Sequence, residues 1–574
     1  MCGITGISGP EANSADIKAM CNLIKHRGPD DDGFYTDGGI NMGMRRLSII
    51  DLETGKQPMY SNNEQYVITY NGEIYNYKAI RKQLQEKGYK FKTESDTEVI
   101  VNAYQEWQYN YVNCLDGMYA IAIWDTKTKT LTLSRDPLGI KPLYYATVND
   151  NVIYGSEIKA ILESGLIKPR LDNYSALPTF LTYGSVLGNI TMFEGIYKIL
   201  PGQTMMFRGG NKRQSNIEFK MNPQKISEQE ATKKIPQLLE DAVEKRLVAD
   251  VPVGAFLSGG IDSSAIVSLM SKYKTDGLKT FSVGFNEEND ETRFAEEVAN
   301  EIGTDHHEVT IDENDTPKLT EKLVWHFDDL IGDGAALPTY VVSKEARKHV
   351  KVVLSGEGSD EIFAGYNRYK TVSNLFPIPK TAKYKAFYNV ISIFNHAQQK
   401  QFFNNEGVGA YSALKSYVTG HPLNDMLYFG IREILPNQLL MKADKASMAA
   451  SLELRVPFLD KELVKYANSL PENLKLNKLN QKYILKKSLH GIVPWHIINR
   501  KKHGFDVPLP TWFNGALGEF AAVQLDNGIP KFMKPEPIKK LIAQRKSLTR
   551  KDANRLWHIL LLKLWMEKFK VIEW

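Results

Sequence analysis

The sequence predicts two domains of different fold class. The first is an antiparallel α+β domain. The second is an α/β domain with a parallel, doubly wound sheet and a helical C-terminal region. Three observations carry this reading. β-rich runs joined by short turns, with only two helical patches, fill the first two hundred residues. Strand and helix then alternate from Ser227 to Leu354. A polar stretch separates the two patterns, and 574 residues exceed what one domain usually holds.

Taken in order, Tyr66–Tyr70, Met118–Trp124 and Thr130–Ser134 are the β-rich runs, the last alternating apolar and polar. Asn76–Lys87 and Thr97–Trp107 repeat apolar residues at helical spacing. Leu200-Pro-Gly202 and the polar run Arg208–Asn216 mark a boundary, giving domains at 1–208 and 209–574. A helix over Ser227–Leu247 follows, then a strand (Val251–Leu257) and a helix (Asp262–Lys272). Next come a strand (Thr280–Phe285), a helix (Glu291–Ile302) and strands His307–Ile311 and Val350–Leu354. From about Thr371 the chain reads as mostly helical.

Composition excludes several classes. Apolar residues make up 43% and charged residues 24%, ordinary for a globular protein. A net charge of +5 over this length gives no nucleic-acid or membrane footprint. Cys2, Cys21 and Cys114 are too few for a disulfide framework, which points to a reducing compartment. The first residues lack the basic and apolar regions of a signal peptide, and no apolar run is long enough to span a membrane. The expectation is a soluble, cytoplasmic protein of more than one domain.

Ala255-Phe-Leu-Ser-Gly-Gly-Ile-Asp-Ser-Ser264 falls at a strand-to-helix turn. Glycines there let backbone approach a ligand, and free N–H groups at the helix start face negative charge. Ser-Gly-Gly-x-Asp-Ser should occur by chance in roughly one chain of this length per thousand. The plainer alternative is a tight turn with Asp262 and Ser263 as helix caps. The loop is neither a Walker A motif nor a dinucleotide fingerprint. A second loop, Leu354-Ser-Gly-Glu-Gly-Ser-Asp-Glu361, again follows an apolar strand. Mg²⁺ prefers one or two carboxylates plus phosphate oxygens, and Asp262 and Asp360 could supply them from neighbouring strand ends. Lys502, in a basic cluster at 499–504, is a candidate phosphate cation.

At the other end, removal of Met1 would give Cys2 a free α-amine with a reference pKa of about 7.7–8.0, a base for its own thiol. Arg46 could bind a carboxylate bidentately. Asn71-Gly72 follows a strand and offers oxyanion donors, while Glu73 and Asp96 could receive an ammonium. Taken singly, each also fits a surface ion pair, a turn or a cap.

Together the motifs are specific. The loop at 258–263 resembles the pyrophosphate loop of ATP-pyrophosphatases. Cys2-Gly-Ile-Thr-Gly6, His26-Arg-Gly-Pro-Asp30, Arg46–Asp51, Tyr70–Asn76, Ser95–Glu98, Arg135–Tyr144 and Ser156–Ala160 resemble the class II glutamine amidotransferase domain, whose sheets form an N-terminal-nucleophile hydrolase-like sandwich. With Phe281–Gly284 and Glu453–Asp460, nearly the whole chain is similar to the glutamine-hydrolysing asparagine synthetase family. The resemblance implies that Cys2 attacks the glutamine amide, that Asn71 and Gly72 stabilise the oxyanion, and that Arg46, Leu47, Ile50, Glu73 and Asp96 bind glutamine. It implies ATP at Leu257, Ser258, Gly259, Gly260, Asp262, Ser263, Val283, Ser355, Gly356 and Lys502, with Mg²⁺ on Asp262 and Asp360. Glu357 would serve acyl-adenylate formation or amination, and ammonia would cross a shielded interdomain path. Its substrates would be glutamine, ATP and aspartate or another carboxylate, and the resemblance is compatible with a homodimer.

One segment departs from the family. An arginine expected to hold the acceptor α-carboxylate aligns with Gly334, in Asp328–Tyr340, where Lys442 or Lys445 could substitute. Three other readings stay open: the same chemistry on a sugar acid, a β-lactam-forming relative (disfavoured by Cys2), and a non-catalytic relative.

Overall fold

The computed structural model describes residues 2–172, 175–273, 277–285, 290–372, 378–404, 411–500 and 507–573. Twelve strands build two antiparallel six-stranded sheets in the N-terminal part. The first contains β1 (Cys2–Ser8), β2 (Asp31–Thr36), β3 (Ile40–Arg46), β8 (Tyr144–Val148), β9 (Asn151–Gly155) and β10 (Ile196–Lys198). The second contains β4 (Met59–Tyr60), β5 (Tyr66–Ile74), β6 (Gly117–Asp125), β7 (Thr130–Arg135), β11 (Gln203–Arg208) and β12 (Asn211–Asn216). The polar run read as a boundary instead forms β12, paired with β11, so this sheet continues to Asn216. A polar strand fits there because β12 is an exposed edge.

Strand β6 shows why the layers stack as they do. Successive side chains point to opposite faces, and both faces of β6 are apolar. Ala120, Ala122 and Trp124 meet Ile4, Met42 and Met44 of the first sheet. Tyr119, Ile121 and Ile123 meet Ile80, Leu84, Val99 and Ala103 on the helices Tyr77–Glu86 and Asp96–Trp107. The outer face of the first sheet packs through Ile7, Ala146 and Ile153 into a core that continues into the C-terminal part. The result is a sandwich of two sheets between helical layers.

The helix Glu228–Lys245 opens the second part, and its Ser227 cap accepts the Glu230 N–H at 3.1 Å. Five parallel strands follow: β13 (Val253–Phe256), β14 (Lys279–Gly284), β15 (Asp305–Thr310), β16 (Val352–Leu354) and β17 (Glu453–Arg455). Their order is β15-β14-β13-β16-β17. The chain reverses its direction of travel between β13 and β16, and the crevice at such a switch point is where ligands of open α/β sheets bind. Both glycine-bearing loops leave the sheet there. Strand β17 lies within the region read as helical; three residues, two of them charged, give no periodic strand pattern.

The helix Leu440–Met448 is buried along its length and clamps the two parts together. Asp444 accepts from Arg27 at 2.7 Å and from Lys141 at 3.2 Å, while Lys445 donates to Asp328 at 2.5 Å. Arg27 also reaches Glu157 at 3.1 Å, and Lys159 pairs with Glu157 and Asp328. Asp444→Asn leaves Arg27 and Lys141 buried with less compensation. It is expected to lower unfolding stability by about 3–5 kcal/mol, read from the urea midpoint.

Candidate functional site

Two sites lie on opposite sides of this seam. The first is a cleft lined by Cys2, Arg46, Leu47, Ile50, Gly55, Gln57, Tyr70, Gly72, Glu73, Ser95 and Asp96. All the expected glutamine-site residues converge here except Asn71, which lies behind Cys2. Its Oδ1 accepts the Cys2 N–H at 2.9 Å, and its Nδ2 is buried without a hydrogen-bond partner. An unspent amide donor beside a thiol can receive an oxyanion. Gly72 is required by space, since a Cβ would drive into the Met118 carbonyl of the paired strand β6.

Arg46, at the end of β3, is held by the loop that follows it. Its Nη2 donates to the carbonyls of Ile50 at 3.0 Å and Asp51 at 2.6 Å. Asp96 starts a helix behind the cleft; its Oδ2 accepts from Tyr70 at 3.0 Å and from the Ile74 N–H at 3.1 Å. Burial raises the Asp96 carboxyl despite those donors. Burial and the neighbouring Glu453 hold Glu73 well above the usual carboxylate range, with Arg455 opposing them. Burial also pushes up the Cys2 thiol, against the Leu47 backbone N–H and Arg46.

The second site occupies the switch point. Ser258 follows β13, and the helix Ile261–Met270 begins at Gly260 without a side-chain cap. The capping alternative for Asp262 and Ser263 therefore fails. Ser263 Oγ instead braces the loop from within, accepting the Ser258 N–H at 3.1 Å and donating to the Gly260 carbonyl at 3.2 Å. Gly259 has φ +66, and a Cβ there would meet Phe294 at 2.5 Å. Leu257 N–H is spent on Phe281 and Ser355 N–H on Arg455, while Val283 lies buried in β14. Gly356 approaches Asp262 so closely that a Cβ would lie 2.9 Å from the Asp262 Cβ.

Asp262 and Asp360 converge from the two loops onto one cation, Lys482. Its Nζ lies 2.6 Å from Asp262 Oδ2 and 2.6 Å from Asp360 Oδ1. Burial works against that charge, but the two carboxylates outweigh it and hold the ammonium above its ordinary value. Hard carboxylate oxygens meeting at one point suit Mg²⁺, which takes its remaining ligands from phosphates and water. Glu357 accepts from Lys442 at 3.1 Å, and Asp333 lies 3.5 Å from the same ammonium. Lys445, fully buried on Asp328 and the Phe327 carbonyl, is spent in the seam. At Gly334 the nearest atoms to a Cβ would be those of Val507 and Leu509, at 3.6 Å, an ordinary contact.

Lys502 lies outside the described residues. Two cations that the motifs did not single out stand at the loop instead. Arg500 donates to the Gly259 carbonyl at 2.9 Å, pairs with Glu291 and covers the Phe294 ring. The other is Lys482. Arg500 belongs to the basic cluster already noted, whereas Lys482 sits more than a hundred residues from both aspartates and carries no local signal.

The Asparagine synthase family description matches residues 234–567, and a Glutamine amidotransferase domain matches residues 1–217. The chain is 36% identical to "Asparagine synthetase [glutamine-hydrolyzing] 1" of Bacillus subtilis, covering 98% of this chain and 96% of the relative. It is 32% identical to "Putative asparagine synthetase [glutamine-hydrolyzing]" of Mycobacterium tuberculosis, over 98% and 97%. A third relative, "Asparagine synthetase [glutamine-hydrolyzing] 3" of Bacillus subtilis, is 34% identical over 88% and 86%.

Gly259→Ala forces a side chain into left-handed backbone and into Phe294. It is expected to cost at least about 1–2 kcal/mol of stability, measured by denaturant unfolding, and to disorder the loop.

Proposed function

The chain belongs to the asparagine synthase family, and we propose that it makes asparagine from aspartate with glutamine as nitrogen donor and ATP as the activating substrate. The observation that carries this reading is the pairing of two built sites, the Cys2 cleft and the Asp262/Asp360/Glu357 crevice, joined across one buried seam. A thiol with an adjacent oxyanion donor suits amide cleavage. A glycine loop at a switch point, with convergent carboxylates, suits a nucleoside triphosphate.

In the first site, the Cys2 sulfur attacks the glutamine side-chain carbonyl. Asn71 Nδ2 and the Gly72 N–H take the oxyanion, ammonia leaves, and water hydrolyses the thioester to glutamate. Arg46 holds the α-carboxylate, and Glu73 and Asp96 hold the α-ammonium. The base for the thiol is the α-amine of Cys2 once Met1 is removed.

In the second site, Ser258, Gly259, Gly260 and Ser263 cradle the phosphates that leave as pyrophosphate, and Gly356 and Val283 flank the nucleotide. Asp262 and Asp360 would hold Mg²⁺, which when bound neutralises phosphate charge. Lys482 holds these two carboxylates together, and Arg500 adds positive charge at the loop. Glu357, oriented by Lys442, faces the acceptor. Among the described residues no helix is long and apolar enough to cross a membrane. The free thiols at Cys2, Cys21 and Cys114 support a cytoplasmic setting.

The test is a product assay with glutamine, Mg-ATP and aspartate, quantifying glutamate, asparagine, AMP and pyrophosphate. Equal asparagine, AMP and pyrophosphate, formed only with aspartate present, are expected. Glutamate without asparagine or pyrophosphate would overturn aspartate as acceptor and leave a glutaminase serving another carboxylate.

Two further outcomes follow from the geometry. Cys2→Ala is expected to abolish glutamine-dependent synthesis while synthesis from free ammonia continues; loss of both in folded protein would refute two separate sites. Glu73 and Asp96 must be ionised to bind an ammonium, and both titrate above the ordinary range. As pH falls, the glutamine KM is therefore expected to rise before ammonia-dependent turnover changes, which steady-state kinetics at several pH values will show.

A further inference from the structure

Arg455 touches both sites. It lies on β17 beside Glu453, on the same face of the strand, and both residues are fully buried. Its guanidinium donates to Glu453 Oε1 at 2.6 Å and to the carbonyls of Arg246 at 2.8 Å and Val248 at 2.7 Å. Its remaining nitrogen, Nη2, is buried without a hydrogen-bond partner and stands 3.6 Å from Glu73 Oε1 in the Cys2 cleft. That distance is an ion pair but not a hydrogen bond. Glu73 is thus shared between a cation of the second domain and whatever cation enters the cleft.

The backbone of Arg455 faces the other way. Its carbonyl accepts the Ser355 N–H at 2.9 Å, at the first residue of the loop that carries Gly356, Glu357 and Asp360. The segment that Arg455 grips is itself tied to the cleft. Asp250 N–H donates to the Ile49 carbonyl at 2.9 Å, and Asp250 Oδ2 accepts the Asp51 N–H at 2.8 Å, in the loop whose carbonyls hold Arg46. Arg46 and Glu73, assigned to the α-carboxylate and the α-ammonium, therefore lean on residues 246–250 and on Arg455 respectively.

We propose that Arg455 is a positioning residue that couples the two sites: an ammonium bound at Glu73 competes with Arg455 Nη2, and the resulting shift of β17 is felt at the Ser355 loop. The inference rests on the reading of Glu73 as the glutamine ammonium site. Close packing passes such a shift along rather than absorbing it. Linkage makes the coupling reciprocal, so Mg-ATP in the second site must change glutamine affinity in the first by the same factor.

The experiment uses full-length protein and measures glutamate release against glutamine concentration, with and without saturating Mg-ATP and without aspartate. In the wild type the ratio of the two glutamine KM values is expected to fall within about 5- to 150-fold. Arg455→Lys keeps the charge, but three donors on one nitrogen cannot serve Glu453, the two carbonyls and Glu73 at once, and its ratio is expected to collapse toward one. Glu453→Gln, which loosens Arg455 without removing it, is expected to give an intermediate ratio and serves if Arg455→Lys does not fold. In a double-mutant cycle, adding Arg455→Lys to Glu73→Gln should leave KM unchanged, because the carboxylate for which Arg455 and the ammonium compete is already gone. A wild-type ratio of one, a full ratio retained in Arg455→Lys or Glu453→Gln, or additive KM effects in the cycle would each overturn the coupling. Absence of glutaminase activity in the wild type would instead overturn the reading of the cleft.

Discussion

The structure depends on one electrostatic constraint: charges taken out of water at the seam must find partners there. Arg27 and Lys141 come from the first domain and Asp444 from the second, and the pairing is complete only when the two are docked. The same helix, Leu440–Met448, sends Lys442 to Glu357 and Lys445 to Asp328. A rotation of one domain that spoiled the Asp444 contacts would also move the residue orienting Glu357. Charge pairing with fixed geometry thus adds to the apolar core that runs from the first sheet into the C-terminal part.

Much of this fold was legible in the sequence because its strong elements obey local rules. The strands at 66–70, 118–124 and 130–134 and the helices after Asn76 and Ser95 appear where their apolar periods place them. Cys2, Arg46, Glu73 and Asp96, each singled out from a short motif, line one cleft. What could not be read was long-range. Lys482 lies between two aspartates over a hundred residues away, and Lys445 satisfies Asp328 rather than any ligand. No period or spacing encodes which lysine meets which carboxylate. The strand β12 was missed for a different reason: an exposed edge needs no apolar residue, so its sequence resembles a linker.

Strand β17 is the informative failure. A buried strand of a parallel sheet normally reads as a run of Val, Ile or Leu, and β17, although it is the last strand of its sheet, is buried throughout. Glu453-Leu-Arg455 breaks that rule with two ionised residues at full burial. Local rules are broken at sites where function demands it, and the cost is met by specific partners. Here the partners are two backbone carbonyls, an intrastrand ion pair and a carboxylate of the neighbouring domain. An apolar pair would pack a three-residue strand at less electrostatic cost, but it could not reach Glu73. The buried arginine therefore makes sense as a contact between domains, since packing of the sheet alone would not call for it.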